Sequence, residues 1–327
     1  MVNIITIYKL LLHGLLKLVG MTQRTIEIEP GTILNIWVPK KTTKKHAVVL
    51  LHPFGFDGIL TWQFQVLALA KTYEVYVPDF LFFGGSVTDG PDRTASFQAE
   101  CMAKGLRKLG VEKCTLVGVS YGGMVGFKMA EMYPDLVESM VVTCSVMGLT
   151  ESVTNAALER IGYESWVDFL LPKTADALKV QLDIACYKLP TLPAFVYKHI
   201  LEALSDHRKE RIELLQALVI SDKEFSIPHF SQKIHLLWGE NDKIFDMQVA
   251  RNLKEQVGQN ATMESIEKAG HLVNLERPFV YNRQLKTILA SLKLQRLDFD
   301  REGAQSNLLR NYRFHKSGFS IGQIDAE

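Results

Sequence analysis

Apolar positions along this chain follow two rhythms. Short runs without polar interruption recur, the clearest being Ala47-Val48-Val49-Leu50-Leu51. Such a run predicts a strand buried on both faces. Residues 73–77, 114–117, 139–143, 234–238 and 262–266 repeat the theme. Between them, residues 61–71, 94–109, 124–132, 246–256 and 278–292 carry apolar residues at helical spacing. Two β-rich runs, 25–29 and 33–38, come first and are divided by the turn pair Pro30-Gly31. Strands alternating with amphipathic helices predict an α/β fold whose mostly parallel sheet is flanked by helices.

The alternation stops over residues 147–228, which are helical in pattern and punctuated by Pro172, Pro190 and Pro193. Residues 175–188 and 208–220 keep a 3.6-residue period, so this stretch is expected to be a helical cap inserted over one edge of the sheet. The sheet-forming core is then 21–146 and 229–294, with a polar tail over 295–327. Residues 1–20 are a separate amphipathic segment. Lys9, His13 and Lys17 recur every four residues and share one helix face, while Leu and Ile cover the rest. Two readings fit: a helix lying in a membrane interface, or a helix packed on the domain with its polar stripe outward.

Composition narrows the class. Of 327 residues, 47% are hydrophobic and 22% charged, which excludes a wholly disordered chain and a polytopic membrane protein. A net charge of +1 leaves no basic footprint for nucleic acid. The four cysteines form no CxxC, so a zinc ribbon or redox dithiol is not expected, and their apolar contexts fit a reducing, cytoplasmic compartment. No HExxH, GxxxxGK or GxGxxG motif occurs, so no metal or organic cofactor is expected.

The chemistry centres on Gly118-Val119-Ser120-Tyr121-Gly122. A strand precedes it and a helical pattern follows, which is the context of a nucleophile elbow. A turn that sharp strains the serine backbone, and Gly118 and Gly122 relieve the crowding around it. A serine hydroxyl needs a base held by an acid. His271, in Ala269-Gly270-His271, and Asp242, in Trp238-Gly239-Glu240-Asn241-Asp242, each follow a strand and fall at the carboxyl edge, where open parallel sheets bind ligands. Glu240 and Asp246 compete with Asp242 as the acid, and Asp242 is preferred. An acyl-transfer transition state also needs N–H donors for its oxyanion. Tyr121, next after the nucleophile, is one candidate, and Phe54, in His52-Pro53-Phe54-Gly55-Phe56, is the other because Pro53 has no N–H. His52 is expected to brace that loop.

These residues resemble a known family. His52-Pro53-Phe54-Gly55, the stretch from Asp79 to Ser86, GVSYGG, WGEND and AGHLVNLERP are similar to motifs of the α/β-hydrolase fold superfamily, nearest in look to its monoacylglycerol-lipase-like and plant esterase-like members. The resemblance spans about residues 25–292 and implies an eight-stranded, mostly parallel sheet with a helical cap. Two positions depart from the pattern: Pro53 stands where the family has glycine, and Phe82 replaces a glycine of the D-x-x-G-x-G-x-S loop.

The expected activity is ester hydrolysis through an acyl-enzyme on Ser120, with His271 as base and Asp242 as its orienting acid. Phe56, Phe82, Phe83 and Trp166 are the pocket candidates, and their apolar character points to a lipophilic ester such as a monoacylglycerol or another medium- to long-chain acyl ester. Similar folds also cleave C–C bonds or peptide bonds after proline, or act as low-turnover small-molecule receptors. Contact with a membrane surface through residues 1–20 is a further expectation.

Overall fold

The structure is a computed structural model and describes residues 3–43 and 45–293. The tail expected over 295–327 lies outside the described residues, as do residues 1, 2, 44 and 294. In chain order the elements are α1 (Ile4–Leu18), β1 (Met21–Glu29), β2 (Thr32–Pro39), β3 (Ala47–Leu51), α2 (Gly58–Leu69), β4 (Glu74–Pro78), β5 (Val87–Thr88), α3 (Ala95–Lys108), β6 (Cys114–Val119), α4 (Tyr121–Met132) and β7 (Val137–Thr143). The inserted region follows with β8 (Leu149–Thr150), α5 (Glu151–Ile161), α6 (Trp166–Leu170), α7 (Ala175–Ala185), α8 (Ala194–Ala203), α9 (Arg208–Leu218) and β9 (Val219–Ile220). The chain then returns to the sheet with β10 (Lys233–Gly239), α10 (Met247–Val257), β11 (Ala261–Ile266) and α11 (Val273–Glu276), and α12 covers 278–293.

The strands lie in the order β1-β2-β4-β3-β6-β7-β10-β11, with the two-residue β5 added beside β2. Pairing is antiparallel at β1-β2 and β2-β4 and parallel from β4 to β11. With β5 counted the sheet has nine strands, and its path of eight is the mostly parallel sheet that the resemblance implied. The uninterrupted apolar runs occupy its centre, where every residue of β3, β4 and β6 is buried. Each fully buried Val- or Leu-sized side chain there contributes about 1.5–3 kcal/mol.

The chain packs as two units, Met1–Arg283 and Gln284–Glu327. The sheet, the inserted helices and every site residue belong to the first. In the second, residues 284–293 are helical.

Local chemistry moves several boundaries from those expected. α2 starts at Gly58 because the Asp57 carboxylate caps it, accepting from Leu60 N–H at 2.9 Å. β6 continues through Gly118 and Val119, and α4 begins at once at Tyr121. The inserted region is not wholly helical: Leu149 and Thr150 pair with Val219 and Ile220 in parallel, closing its two ends together.

The N-terminal helix is packed, with the reverse of the orientation expected for a packed helix. Leu12 and Leu16 are buried, and the polar stripe turns inward beside them. Lys9 pairs with the carboxylate of Asp57, and the His13 ring meets Trp37 edge-on at 4.8 Å. Of the stripe Lys17 is exposed, and Lys9 and His13 are half-buried. The leucines that should have been inward are outward: Leu10, Leu11 and Leu18 are 67%, 70% and 85% exposed.

Candidate active site

Ser120 sits between β6 and α4 with φ +53° and ψ −120°, a left-handed conformation that costs a non-glycine residue about 1–3 kcal/mol. Its neighbours hold it there. Ser120 N–H donates to Thr143 O at 2.9 Å, and the Ser145 hydroxyl donates to Ser120 O at 2.6 Å. The two glycines are required by contact: a Cβ at Gly118 would lie 2.5 Å from Gly122 O, and one at Gly122 would lie 2.2 Å from Leu51 O. Serine is a favoured helix N-cap. Asp57, Thr94, Thr150, Thr174 and Asp246 all cap their helices, whereas Ser120 makes no side-chain cap bond and lines a cavity instead.

His271 and Asp242 meet at the same edge. His271 Nδ1–H donates to Asp242 Oδ2 at 2.8 Å. That bond fixes the ring and leaves Nε2 as its basic nitrogen. The other carboxylate oxygen accepts from Ile244 N–H at 2.8 Å and Phe245 N–H at 3.0 Å. Trp238 Nε1–H closes the same loop onto Phe245 O at 2.8 Å. Both partners are buried, with Asp242 4% and His271 5% exposed. Of the competing acids, Asp246 caps α10 and Glu240 accepts from the Ser265 hydroxyl, so neither is committed to His271.

Cys144 is a neighbour that sequence reasoning missed. Its sulfur accepts from Gly239 N–H at 3.4 Å. Burial pushes the thiol well above its ordinary pKa, and the adjacent Asp242 charge reinforces the shift, so it stays protonated and donates toward that carboxylate. Its sulfur, an Asp242 oxygen and a His271 nitrogen lie within 4.8 Å of one another. The trio is a poor metal site, because a ligating thiol must be deprotonated and the acid and imidazole already hold each other.

The loop after β3 carries the second set of candidates. His52 Nδ1–H donates to Pro53 O at 2.8 Å, and its Nε2 accepts from Phe80 N–H at 2.9 Å. Full burial lowers the imidazole to about 4, so the ring is neutral and ties the 52–56 loop to the one following β4. Phe54 and Tyr121 line the cavity beside Ser120, and among the described residues neither N–H has a protein acceptor.

The cavity is about 400 Å³. Ser120, Tyr121, His271, Phe54, Phe56 and Trp166 all line it. Leucines from the inserted helices form most of its roof, Leu178, Leu182, Leu204 and Leu215 among them. Phe82 and Phe83 are a correction, since neither lines it. Both are buried behind the wall. Arg93 covers the Phe82 ring at 4.6 Å, and Arg211 covers Phe83 at 4.4 Å. Phe82 also has φ +71°, which explains why a glycine suits this position and why Phe there needs a clasp.

The inserted helices are tied to the site by polar bonds as well. Arg211 Nε–H donates to Phe82 O at 2.9 Å. The end of α7 meets the histidine loop: His271 N–H donates to Ala185 O at 2.7 Å. Glu276 accepts from Gly270, Tyr187 and Lys188 N–H groups.

A parallel sheet with a serine elbow, a histidine loop and a helical cap at its carboxyl edge is the architecture of the α/β-hydrolase fold, and the chain has that fold. A family model described as the alpha/beta hydrolase fold matches residues 47–177. The chain's sequence is similar to those of monoacylglycerol lipases and of an epoxide hydrolase. It is 24% identical over 271 residues to the monoacylglycerol lipase ABHD6 of Homo sapiens, covering 76% of each chain. Epoxide hydrolase 4 of Homo sapiens is 23% identical over 281 residues, covering 75% of this chain and 72% of that protein. A crystal structure of a putative lipase, lip1, from Acinetobacter baumannii AYE superposes with a TM-score of 0.76 at 19% identity, covering 88% of this chain and 97% of the other.

Proposed function

We propose that this hydrolase is a serine esterase of lipophilic acyl esters, monoacylglycerols among them. One observation carries the reading: the elbow serine and the imidazole of an Asp242-bound histidine open on the same leucine-roofed cavity. His271 Nε2 takes the Ser120 proton as Oγ attacks the ester carbonyl. Phe54 and Tyr121 N–H groups receive the oxyanion. The proton passes from His271 to the departing alkoxide, leaving the acyl group on Ser120. Water, deprotonated by His271, then releases the acid and restores the serine. Asp242 holds the tautomer and stabilises the imidazolium.

Serine at the nucleophile position favours this over epoxide opening, which needs a carboxylate that forms an alkyl ester. The cap arginines bear on the C–C hydrolase alternative. Arg160 pairs with Asp246 and does not line the cavity, whereas Arg208 and Arg211, which donate to Leu171 O and Phe82 O, do line it and keep further N–H donors that a carboxylate-bearing substrate would use. A panel of p-nitrophenyl esters from acetate to palmitate tests the reading. Turnover rising with chain length is expected, and loss of several orders of magnitude in Ser120→Ala. A preference for acetate contradicts the lipid assignment. Ligand-raised melting with a single slow turnover points instead to a receptor.

We also propose that α1 meets a lipid surface. No described helix is long and apolar enough to cross a membrane. The outward face of α1 nevertheless presents Ile7, Leu10, Leu11 and Leu18, with Lys17 at its edge, a composition suited to a membrane interface.

A further inference from the structure

Glu276 closes the short helix α11, a little over one turn beyond His271, and its side chain does not line the cavity. Its carboxylate folds back over the loop and accepts from main-chain groups on two separate segments. Gly270 N–H, in the histidine loop, reaches Oε2 at 2.8 Å. Tyr187 N–H reaches the same oxygen at 3.0 Å and Lys188 N–H reaches Oε1 at 2.6 Å, both from the chain just past cap helix α7. Hydrogen bonds to a carboxylate are stronger than those to a neutral oxygen. Other bonds run the opposite way. A helix leaves its last carbonyls without intrahelical partners. α7 gives its final one, Ala185 O, to His271 N–H at 2.7 Å and to Leu272 N–H at 3.2 Å. Gly270 permits this approach, since a Cβ there would lie 2.7 Å from both Ala185 O and Tyr187 N.

Ser120 is supported elsewhere. Thr143, at the end of β7, and Ser145, just after it, hold its main chain. The nucleophile and its base therefore rest on different parts of the fold, and their separation depends on how firmly the end of α7 sits against the histidine loop. We propose that Glu276 is a positioning residue: it clamps the end of α7 to that loop and thereby sets where His271 Nε2 stands relative to Ser120 Oγ. Proton transfer requires the base within hydrogen-bond reach of the proton it takes. A misplacement of about 1 Å costs about 10²-fold in rate. Without the carboxylate, the Gly270, Tyr187 and Lys188 N–H groups lose their shared acceptor. The imidazole keeps its bond to Asp242, but the main chain that carries it is no longer pinned from both sides. The loss falls on turnover and not on substrate binding, because Glu276 stands outside the cavity.

The inference rests on the esterase reading, and two readouts separate them. Steady-state kinetics on p-nitrophenyl butyrate and laurate are measured beside the rate at which a fluorophosphonate labels Ser120, for the full chain and for Glu276→Ala, Glu276→Gln and Gly270→Ala. Glu276→Ala is expected to lower kcat about 10²-fold on both esters, with KM changed by less than about twofold, and to slow labelling by a similar factor. Glu276→Gln keeps one acceptor oxygen for Gly270 and Tyr187, so it is expected to recover kcat to within about tenfold of wild type. Gly270→Ala forces the same joint apart from the other side and should repeat the kcat loss, which keeps the test decisive if Glu276→Ala does not fold. A folded Glu276→Ala with wild-type kcat and labelling, a loss carried by KM, or a Gln variant no better than the Ala variant overturns the clamp. A wild-type chain that labels at Ser120 yet turns over neither ester overturns the esterase reading instead, and the labelling rates alone then decide the clamp.

Discussion

The loops at the carboxyl edge of the sheet and the helices above them are built by different forces. In the loops, short directed bonds converge: His271 on Asp242, two backbone amides on the same carboxylate, Ser145 on Ser120. In the roof, contact is mostly leucine against empty space. Directed bonds tolerate little displacement, since hydrogen bonds weaken steeply with angle. Apolar contact is non-directional, and hydrophobic swaps of similar volume are tolerated. The loops therefore set the reaction and the roof sets which acyl group enters.

That division can be broken from either side. Asp242→Asn keeps the shape of the loop and removes the charge that holds the tautomer, so a fall in kcat of about 10⁴ is expected with little change in KM. Stopped assays on a short and a long ester check it, and a chain-length-dependent loss contradicts the division. On the other side, Leu182→Trp should fill part of the roof. Its kcat/KM for a palmitoyl ester is expected to fall about tenfold or more, while that for a butyryl ester changes little. Equal losses on both would place the roof in the chemistry. Outside both regions, Leu10→Ser with Leu11→Ser should reduce co-sedimentation with anionic lipid vesicles several-fold and leave turnover of a soluble ester intact.

A last effect concerns stability. Burial lowers His52 to about 4, so between about pH 6.5 and 4 the unfolded chain takes a proton that the folded chain refuses. This contribution to stability is lost as pH falls through that window, by about 3 kcal/mol at most. Asp79 opposes it. Burial, helped by the Asp57 charge, raises Asp79 to about 7, so its folded form keeps a proton that the unfolded chain releases, and stability falls as pH rises from about 4 to 7. Removing one side of this balance exposes the other. His52→Gln is expected to melt at relatively higher temperature near pH 4.5 than near pH 6.5, judged against wild type, and a parallel shift at all pH values contradicts it.

How much of this was readable from the sequence follows from what each residue depends on. The apolar runs of the sheet and the residues just after them are local patterns, so the elbow at Ser120 and the loops of Asp242 and His271 could be read directly. The orientation of α1 could not. Lys9 and His13 were placed on one face correctly, but the side they took was decided by Asp57 and Trp37, well along the chain. Phe82 and Phe83 looked like pocket residues because they are aromatic and near the site. Arg93, a short way along the chain, and Arg211, from the distant α9, hold them behind the wall. Cys144 gave no signal at all, because its relation to Asp242 exists only once β7 and β10 are side by side.

The most direct test of the central claim is labelling of the full chain with a fluorophosphonate, followed by peptide mass spectrometry. The account predicts a single phosphonylated residue, Ser120, with the adduct absent from Ser120→Ala and greatly slowed in a folded His271→Ala variant. Ester turnover by a chain whose Ser120 stays unmodified, or labelling that persists in Ser120→Ala, would contradict it.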